Sequence, residues 1–257
     1  MTMKKYLVVA ATVVTLSACS VSTAEKPEKT SEATPVSQKA PKERDVAAYV
    51  EKQPIEKMTE DGLTIVHNPE SIEVVVNKQR TLPEGYTPDD LVVPDVAFYF
   101  DQFLPKKQMR KEAAGALETL FAAAEKDGQK IVAASGYRSY ERQKTIFNNY
   151  VEVYGEEETK TFSAVPGTSE HQTGLAMDVT SREMSYELDQ SFRQTTEGKW
   201  LAEHAYEYGF VIRYPKGKDD ITGYTYEPWH LRYVGKEKAL EIHKQSMTLE
   251  EFFGYMP

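Results

Sequence analysis

The sequence predicts an α+β domain: a small, mostly antiparallel sheet with helices packed around it. Two observations carry this expectation. Helical periodicity comes early and short apolar strands cluster late, without the strict alternation a parallel βαβ fold requires. No internal repeat and no second linker is visible after about residue 60, so a single domain over 62–257 is the simplest organisation.

The elements follow in order. Ile72-Glu73-Val74-Val75-Val76 reads as a strand, followed by irregular chain through Asn77-Lys78 and Leu82-Pro83-Glu84-Gly85-Tyr86. From about Lys106 to Glu125, Met109, Ala113, Ala116, Leu117, Leu120, Phe121 and Ala124 recur at spacings of three and four, and Asp127-Gly128 ends the helix they predict. Ile131-Val132-Ala133-Ala134 is a short buried strand that runs into Ser135-Gly136-Tyr137-Arg138-Ser139. A helix from Tyr140 to Val153 would turn Ile146, Phe147 and Tyr150 inward and stop at Gly155. Leu175–Thr180 is a strand, Thr196–Tyr208 a helix closed by Gly209, and Phe210–Tyr214 a strand. Trp229–Val234 makes the last strand and Glu237–Lys244 the last helix.

The start of the chain has a different grammar. Lys4 and Lys5 precede an apolar run from Tyr6 to Ala18, too short for a spanning helix of about 20 residues but suited to a secretory signal over residues 1–18. Leu16-Ser17-Ala18-Cys19 resembles a bacterial lipobox, in which the cysteine becomes the lipidated first residue. Residues 19–61 would then be the lipid anchor and a disordered tether, since the stretch from Ser20 to about Asp45 is rich in Pro, Ser, Thr and mixed charge and lacks aromatics. A tether of that kind reaches roughly 30 Å. The expected location is the extracytoplasmic side of a membrane, held through Cys19.

Composition excludes several classes of function. One cysteine rules out an internal disulfide framework and a metal site built from several thiolates. The net charge is −9, and removal of residues 1–18 takes Lys4 and Lys5, leaving 29 basic against 40 acidic residues, or −11. That balance argues against nucleic acid as a partner, because phosphate neutralisation needs an excess of Lys and Arg.

Three polar clusters interrupt this otherwise structural sequence. In Ser169-Glu170-His171-Gln172-Thr173-Gly174-Leu175-Ala176-Met177-Asp178, His171 sits in a glycine-containing turn. Asp178 projects from the strand face opposite Leu175, Met177 and Val179. A mid-strand carboxylate needs a partner, and a metal shared with His171 would supply one. The second cluster, Glu227-Pro228-Trp229-His230, adds an imidazole, so His171, Asp178 and His230 make a three-ligand set that leaves a zinc position open for water. Glu227 is the natural general base, with Pro228 bending the chain so that Glu227 and His230 can face one site. Glu170 is the alternative base. The third cluster, Tyr137-Arg138-Ser139, offers a guanidinium suited to charge developing on a carbonyl oxygen. His67, His204 and His243 are assigned to structure.

The pattern Ser169-x-His171-x-x-Gly174-x-Ala176-x-Asp178 followed by Glu227-x-Trp229-His230 resembles the peptidoglycan zinc peptidases of the VanY, VanX and LdcB type. Ser135-Gly136-Tyr137-Arg138-Ser139 with Gln143 is similar to their arginine motif, and Val76-Asn77-Lys78, Leu82-Pro83, Tyr86-x-Pro88 and Asp90-Leu91 to the opening segment of the carboxypeptidase branch. The resemblance covers about residues 72–245. It implies that His171, Asp178 and His230 bind Zn²⁺, that Glu227 takes a proton from the attacking water and returns one to the leaving amine, and that Arg138 holds the scissile carbonyl. Gln143 and Ser169, together with Arg138, would contact the peptide, and Trp229 would wall the site. The implied reaction is release of the C-terminal D-alanine from peptidoglycan stem peptides, D,D or L,D. The rivals are a D,D-dipeptidase on free D-Ala-D-Ala and a non-catalytic wall-binding lipoprotein. Arg213, Tyr214 and Lys216 are the candidates for recognising a terminal carboxylate.

Overall fold

The structure, a computed structural model, describes residues 57–256. Cys19, the signal segment and most of the expected tether lie outside the described residues. Residues 57–61, expected in the tether, instead open a hairpin: β1 (Lys57–Met58) pairs antiparallel with β2 (Thr64–Ile65), which pairs parallel with β3 (Arg80–Thr81). A second ribbon joins β4 (Leu91–Val92) to β5 (Met109–Arg110).

The central sheet has four strands, β6 (Ile131–Ser135), β7 (Ala176–Ser181), β8 (Phe210–Tyr214) and β9 (Glu227–Tyr233), in the order β6-β7-β9-β8. Every pair in it is antiparallel, as the sequence predicted. Its two faces differ in kind. Opposite Met177 lies Leu231, and both enter the main core with Leu175, Val179 and Phe210. Opposite Asp178 lies His230, and opposite Ala176 lies Arg232. Pleat alternation therefore gives one apolar face and one charged face, both buried.

The apolar face is covered by α1 (Lys111–Lys126), whose Ala113, Leu117, Leu120, Phe121 and Ala124 enter the core. The helix begins later than its periodicity predicts, because Pro105–Lys107 form a single 3₁₀ turn and Met109 is spent in β5. α2 (Tyr140–Tyr154) is capped by the Ser139 side chain, which accepts from the Arg142 amide. Phe147 is buried there as expected, but Tyr150 is 40% exposed and leans with Phe162 over a cleft. α3 (Glu156–Phe162) follows. Thr196–Tyr208 forms α4 (Thr196–His204) and a terminal 3₁₀ turn. A short α5 (Asp219–Thr222) leads into β9, and α6 (Lys236–Gln245) and α7 (Leu249–Phe253) close the chain.

The expected strand over 72–76 does not form. Its valines are buried as a strand's would be, with Val75 and Val76 almost wholly enclosed. Its carbonyls go instead to arginine: Arg232 Nη2 donates to Ile72 O and Val74 O, and Arg80 Nε to Val75 O. Guanidinium donors satisfy the backbone that a ladder would otherwise have to pair.

Candidate active site and metal centre

Two irregularities in the sheet build the site. β6 advances two residues, Ala133 to Ser135, while its partner β7 advances one, Val179 to Asp178. That bulge turns the chain out into Gly136 and Arg138. Gly136 lies so close to its neighbours that a Cβ would fall 2.4 Å from Gln108 O and 2.8 Å from Met177 Cε. Its amide donates to Lys106 O at 2.7 Å, and its carbonyl meets His171 Nδ1 at 2.8 Å. Gly136→Ala is expected to lower the melting temperature by about 5 °C through overpacking, and to weaken metal retention by moving that carbonyl. Differential scanning calorimetry and metal analysis would read the two effects.

The second irregularity lies between β8 and β9. Ile212 pairs with Leu231, but Tyr214 pairs with Glu227, so two steps on β8 match four on β9. The extra length resolves the conflict posed by the three-residue spacing of Glu227 and His230, which in a regular strand would face opposite ways. Here Glu227 Oε2 lies 3.7 Å from His230 Nδ1. The chain turns within the strand, which already starts at Glu227, rather than before it.

His171, Asp178 and His230 converge, with one ligand atom from each within 4.8 Å of the others; among the described residues no other such group occurs. His171 Nε2 is 3.3 Å from Asp178 Oδ2, and His230 Nδ1 is 3.0 Å from Asp178 Oδ1. These spacings are those of atoms sharing one small cation at about 2 Å. The tautomers agree. His171 turns Nδ1–H to Gly136 O, and His230 turns Nε2 to Glu170 Oε2 at 3.3 Å, which leaves His171 Nε2 and His230 Nδ1 as lone pairs facing inward. Asp178 Oδ1 is buried without a hydrogen-bond donor, an orphan that a cation would satisfy. Two imidazoles and one carboxylate are a borderline-soft set that suits zinc.

Electrostatics follow the same geometry. Burial alone would raise the Asp178 carboxyl, but His171 and His230 outweigh it and hold it well below the usual carboxylate range. Burial pulls His171 down, favouring the neutral ligand form. Burial pushes the Glu227 carboxyl up to about 7, with the charge of Asp178 adding to the rise and those of His230 and Arg138 opposing it.

Arg138 lines the same cleft, together with Ser169, Tyr214, Trp229 and the aromatic pair Tyr150 and Phe162; the cleft holds about 250 Å³. Gln143 is buried beneath Arg138 and accepts from its Nη1 at 2.9 Å, while Gln143 Nε2 donates to Ala164 O at 2.6 Å. It braces the guanidinium from behind rather than lining the cleft. His204 pairs with Glu207 at 3.1 Å and His243 stacks on Tyr206 at 3.9 Å, both away from the site.

Two expectations need correction. Glu170, the alternative base, is fully buried behind His230, where Arg213 Nε (2.6 Å) and Arg232 Nη1 (2.8 Å) donate to its Oε1. Its side chain is wholly enclosed and both of its oxygens are engaged, so it is not placed as a base. Arg213, a candidate for the terminal carboxylate, is committed to Glu170 and Glu250 and is 1% exposed. Lys216 lines a different cleft, with Pro215 and Ile242. Only Tyr214 of the three faces the site. The pair Arg213 and Arg232 inside apolar strands was the available signal, since two buried cations imply a buried anion.

An α+β fold with a buried His/Asp/His set, a carboxylate of raised pKa and a guanidinium on one cleft defines a metal-dependent hydrolase. Residues 106–236 match the VanY family of D-alanyl-D-alanine carboxypeptidases, and the chain belongs to that family. It is 56% identical to YodJ of Bacillus subtilis (strain 168) over 193 residues, 75% of this chain and 71% of that one. Among solved structures, the LD-carboxypeptidase LdcB superposes with a TM-score of 0.75 at 54% identity, covering 79% of this chain and 95% of that one. The vancomycin-resistance D,D-pentapeptidase VanY in complex with Zn(II) gives 0.58 at 35% identity, covering 71% and 98%.

Proposed function

We propose that this protein is a zinc carboxypeptidase that releases the C-terminal D-alanine from peptidoglycan stem peptides. The observation that carries the reading is the convergence of Glu227 and the His171/Asp178/His230 set on the cleft that Arg138 lines. Bound to those three residues, a zinc ion would supply Lewis acidity and acidify water. Glu227 takes the proton of the attacking water as the carbon–oxygen bond forms. Arg138, held by Gln143, donates to the carbonyl oxygen as its charge grows. Glu227 then delivers its proton to the leaving amine as the carbon–nitrogen bond breaks.

Of the two peptide substrates, the tetrapeptide is proposed as preferred, an L,D cleavage. The higher identity to LdcB than to the D,D-pentapeptidase supports this. Digestion of purified tetrapeptide and pentapeptide muropeptides side by side, read by mass spectrometry, tests it; faster loss of D-alanine from the pentapeptide would refute the preference.

The base must be ionised, so the rate should fall on the acid side, about tenfold per pH unit below the pKa of Glu227. A cation beside Glu227 favours its carboxylate, which sets the acid limb of the zinc enzyme below the value of about 7 given by burial in the metal-free protein. A kcat/KM profile from pH 4 to 9 on the zinc enzyme checks this, with a single acid limb of unit slope as the expected result.

We further infer export and lipid anchoring at Cys19, supported by the basic, apolar and small-residue order of residues 1–18. Among the described residues, no helix is long and apolar enough to cross a membrane. Fatty-acid labelling of the full chain, lost in Cys19→Ala, would be the expected result.

A further inference from the structure

Behind His230 lies a closed set of charges that the reaction itself does not use. Glu170 Oε2 faces His230 Nε2, and Glu170 Oε1 receives Arg213 and Arg232. Arg213 then turns its two terminal nitrogens on Glu250 as a fork, Nη1 to Oε2 at 2.9 Å and Nη2 to Oε1 at 2.6 Å. Asn77 Nδ2 also donates to Glu250 Oε1, at 3.1 Å. The Glu170, Arg213 and Arg232 side chains are wholly enclosed, and Glu250 is 0% exposed. Two anions meet two cations, so the set is neutral in a place where an unpaired charge would cost several kcal/mol.

Glu250 belongs to α7, near the end of the chain and beyond residue 236. α7 is a helix of only five residues, yet its start is fixed firmly. The Thr248 side chain and Glu251 form a reciprocal capping box, and Lys218 pairs with Glu251 at 2.7 Å.

We propose that Glu250 and Arg213 are positioning residues for the metal centre: the Arg213–Glu250 fork fixes Glu170, and Glu170 fixes the ring and tautomer of His230. The physical reason is geometric. A carboxylate that accepts from two guanidinium groups on one oxygen has its other oxygen aimed, here at His230 Nε2. An aimed acceptor keeps the proton on Nε2 and the lone pair on Nδ1, the nitrogen that faces Asp178. The C-terminal helix thereby becomes part of the active site at one remove, and Asn77 ties the opening segment to the same carboxylate. This inference rests on the zinc reading above.

The test uses the full chain and two variants. Glu250→Asp keeps the charge and draws the carboxylate back by one methylene. The double variant R213M/E250M removes one charge of each sign, so Glu170 and Arg232 remain paired and no buried charge is left alone; the Asn77 amide alone loses its acceptor on Glu250. Zinc affinity is measured by chelator competition, and kcat and KM separately on the tetrapeptide. The expected result is zinc affinity weakened about 10- to 100-fold in the double variant and by less in Glu250→Asp. At saturating zinc, kcat should fall with KM unchanged. The metal-free melting temperature tells whether each variant folds, and a purely structural role would move that temperature alone. Wild-type zinc affinity and kcat in a folded double variant would overturn the proposal. Wild-type protein that binds no zinc or releases no D-alanine would instead overturn the reading on which it rests.

Discussion

Glu227→Ala is expected to reduce D-alanine release by about three orders of magnitude while leaving the bound metal in place. General acid–base catalysis by one placed group contributes about 10²- to 10⁴-fold, and Glu227 serves twice, for the water and for the amine. It is well placed for this work. Burial pushes its carboxyl up and a neighbouring cation would pull it back down, which keeps it ionised, and able to accept and return a proton, near neutral pH. Its Oε2 lies 3.7 Å from His230 Nδ1, beside the set of His171, Asp178 and His230 that would hold the cation and not one of its members. Metal content by elemental analysis beside the rate decides the matter. A variant that keeps its zinc and its activity would remove Glu227 from the mechanism, and one that loses both would make it a ligand.

Asp178→Asn should have the opposite signature, with activity lost because zinc is lost. Asp178 is the one anion of the three-residue set, and its Oδ1 has no hydrogen-bond donor. An amide is nearly isosteric but neutral, so affinity should fall by at least about 100-fold, beyond the usual effect of an outer-shell change. Folding should survive. The substitution removes a buried charge from the middle of β7, and the metal-free melting temperature should change by only a few degrees. Zinc titration with calorimetric melting would show both. Undiminished zinc affinity would mean that the cation sits elsewhere.

Most of the site was legible because it follows from strand alternation. Leu175, Met177 and Val179 marked one face of β7, which left Asp178 on the other, and the register then set His230 directly opposite. The partners behind the site were not legible. Nothing in Glu170 as a letter tells that it faces inward, since a polar turn is expected at the surface and all four residues of this 3₁₀ turn are buried. Arg213 was misplaced for the same reason: a cation in an apolar strand was read as reaching the cleft, when an anion from the far C-terminal helix claims it. The run Ile72–Val76 failed differently. Its composition correctly announced burial, but composition cannot say whether a ladder or two arginines will take up the carbonyls. α7 carries a readable mark, Thr248 followed three residues later by Glu251, but five residues are too few to show a helical period.

The doubled length of β9 opposite β8 has one more consequence. Between base and ligand stand Pro228 and Trp229, and what matters about them to the chemistry is that there are two. Exchanging either for another residue would alter packing, but removing one would change how β9 is matched to β8 at the irregularity and shift Glu227 relative to His230. This stretch should therefore tolerate spelling changes and no deletions. It works as a spacer whose count, more than its chemistry, is what the reaction reads.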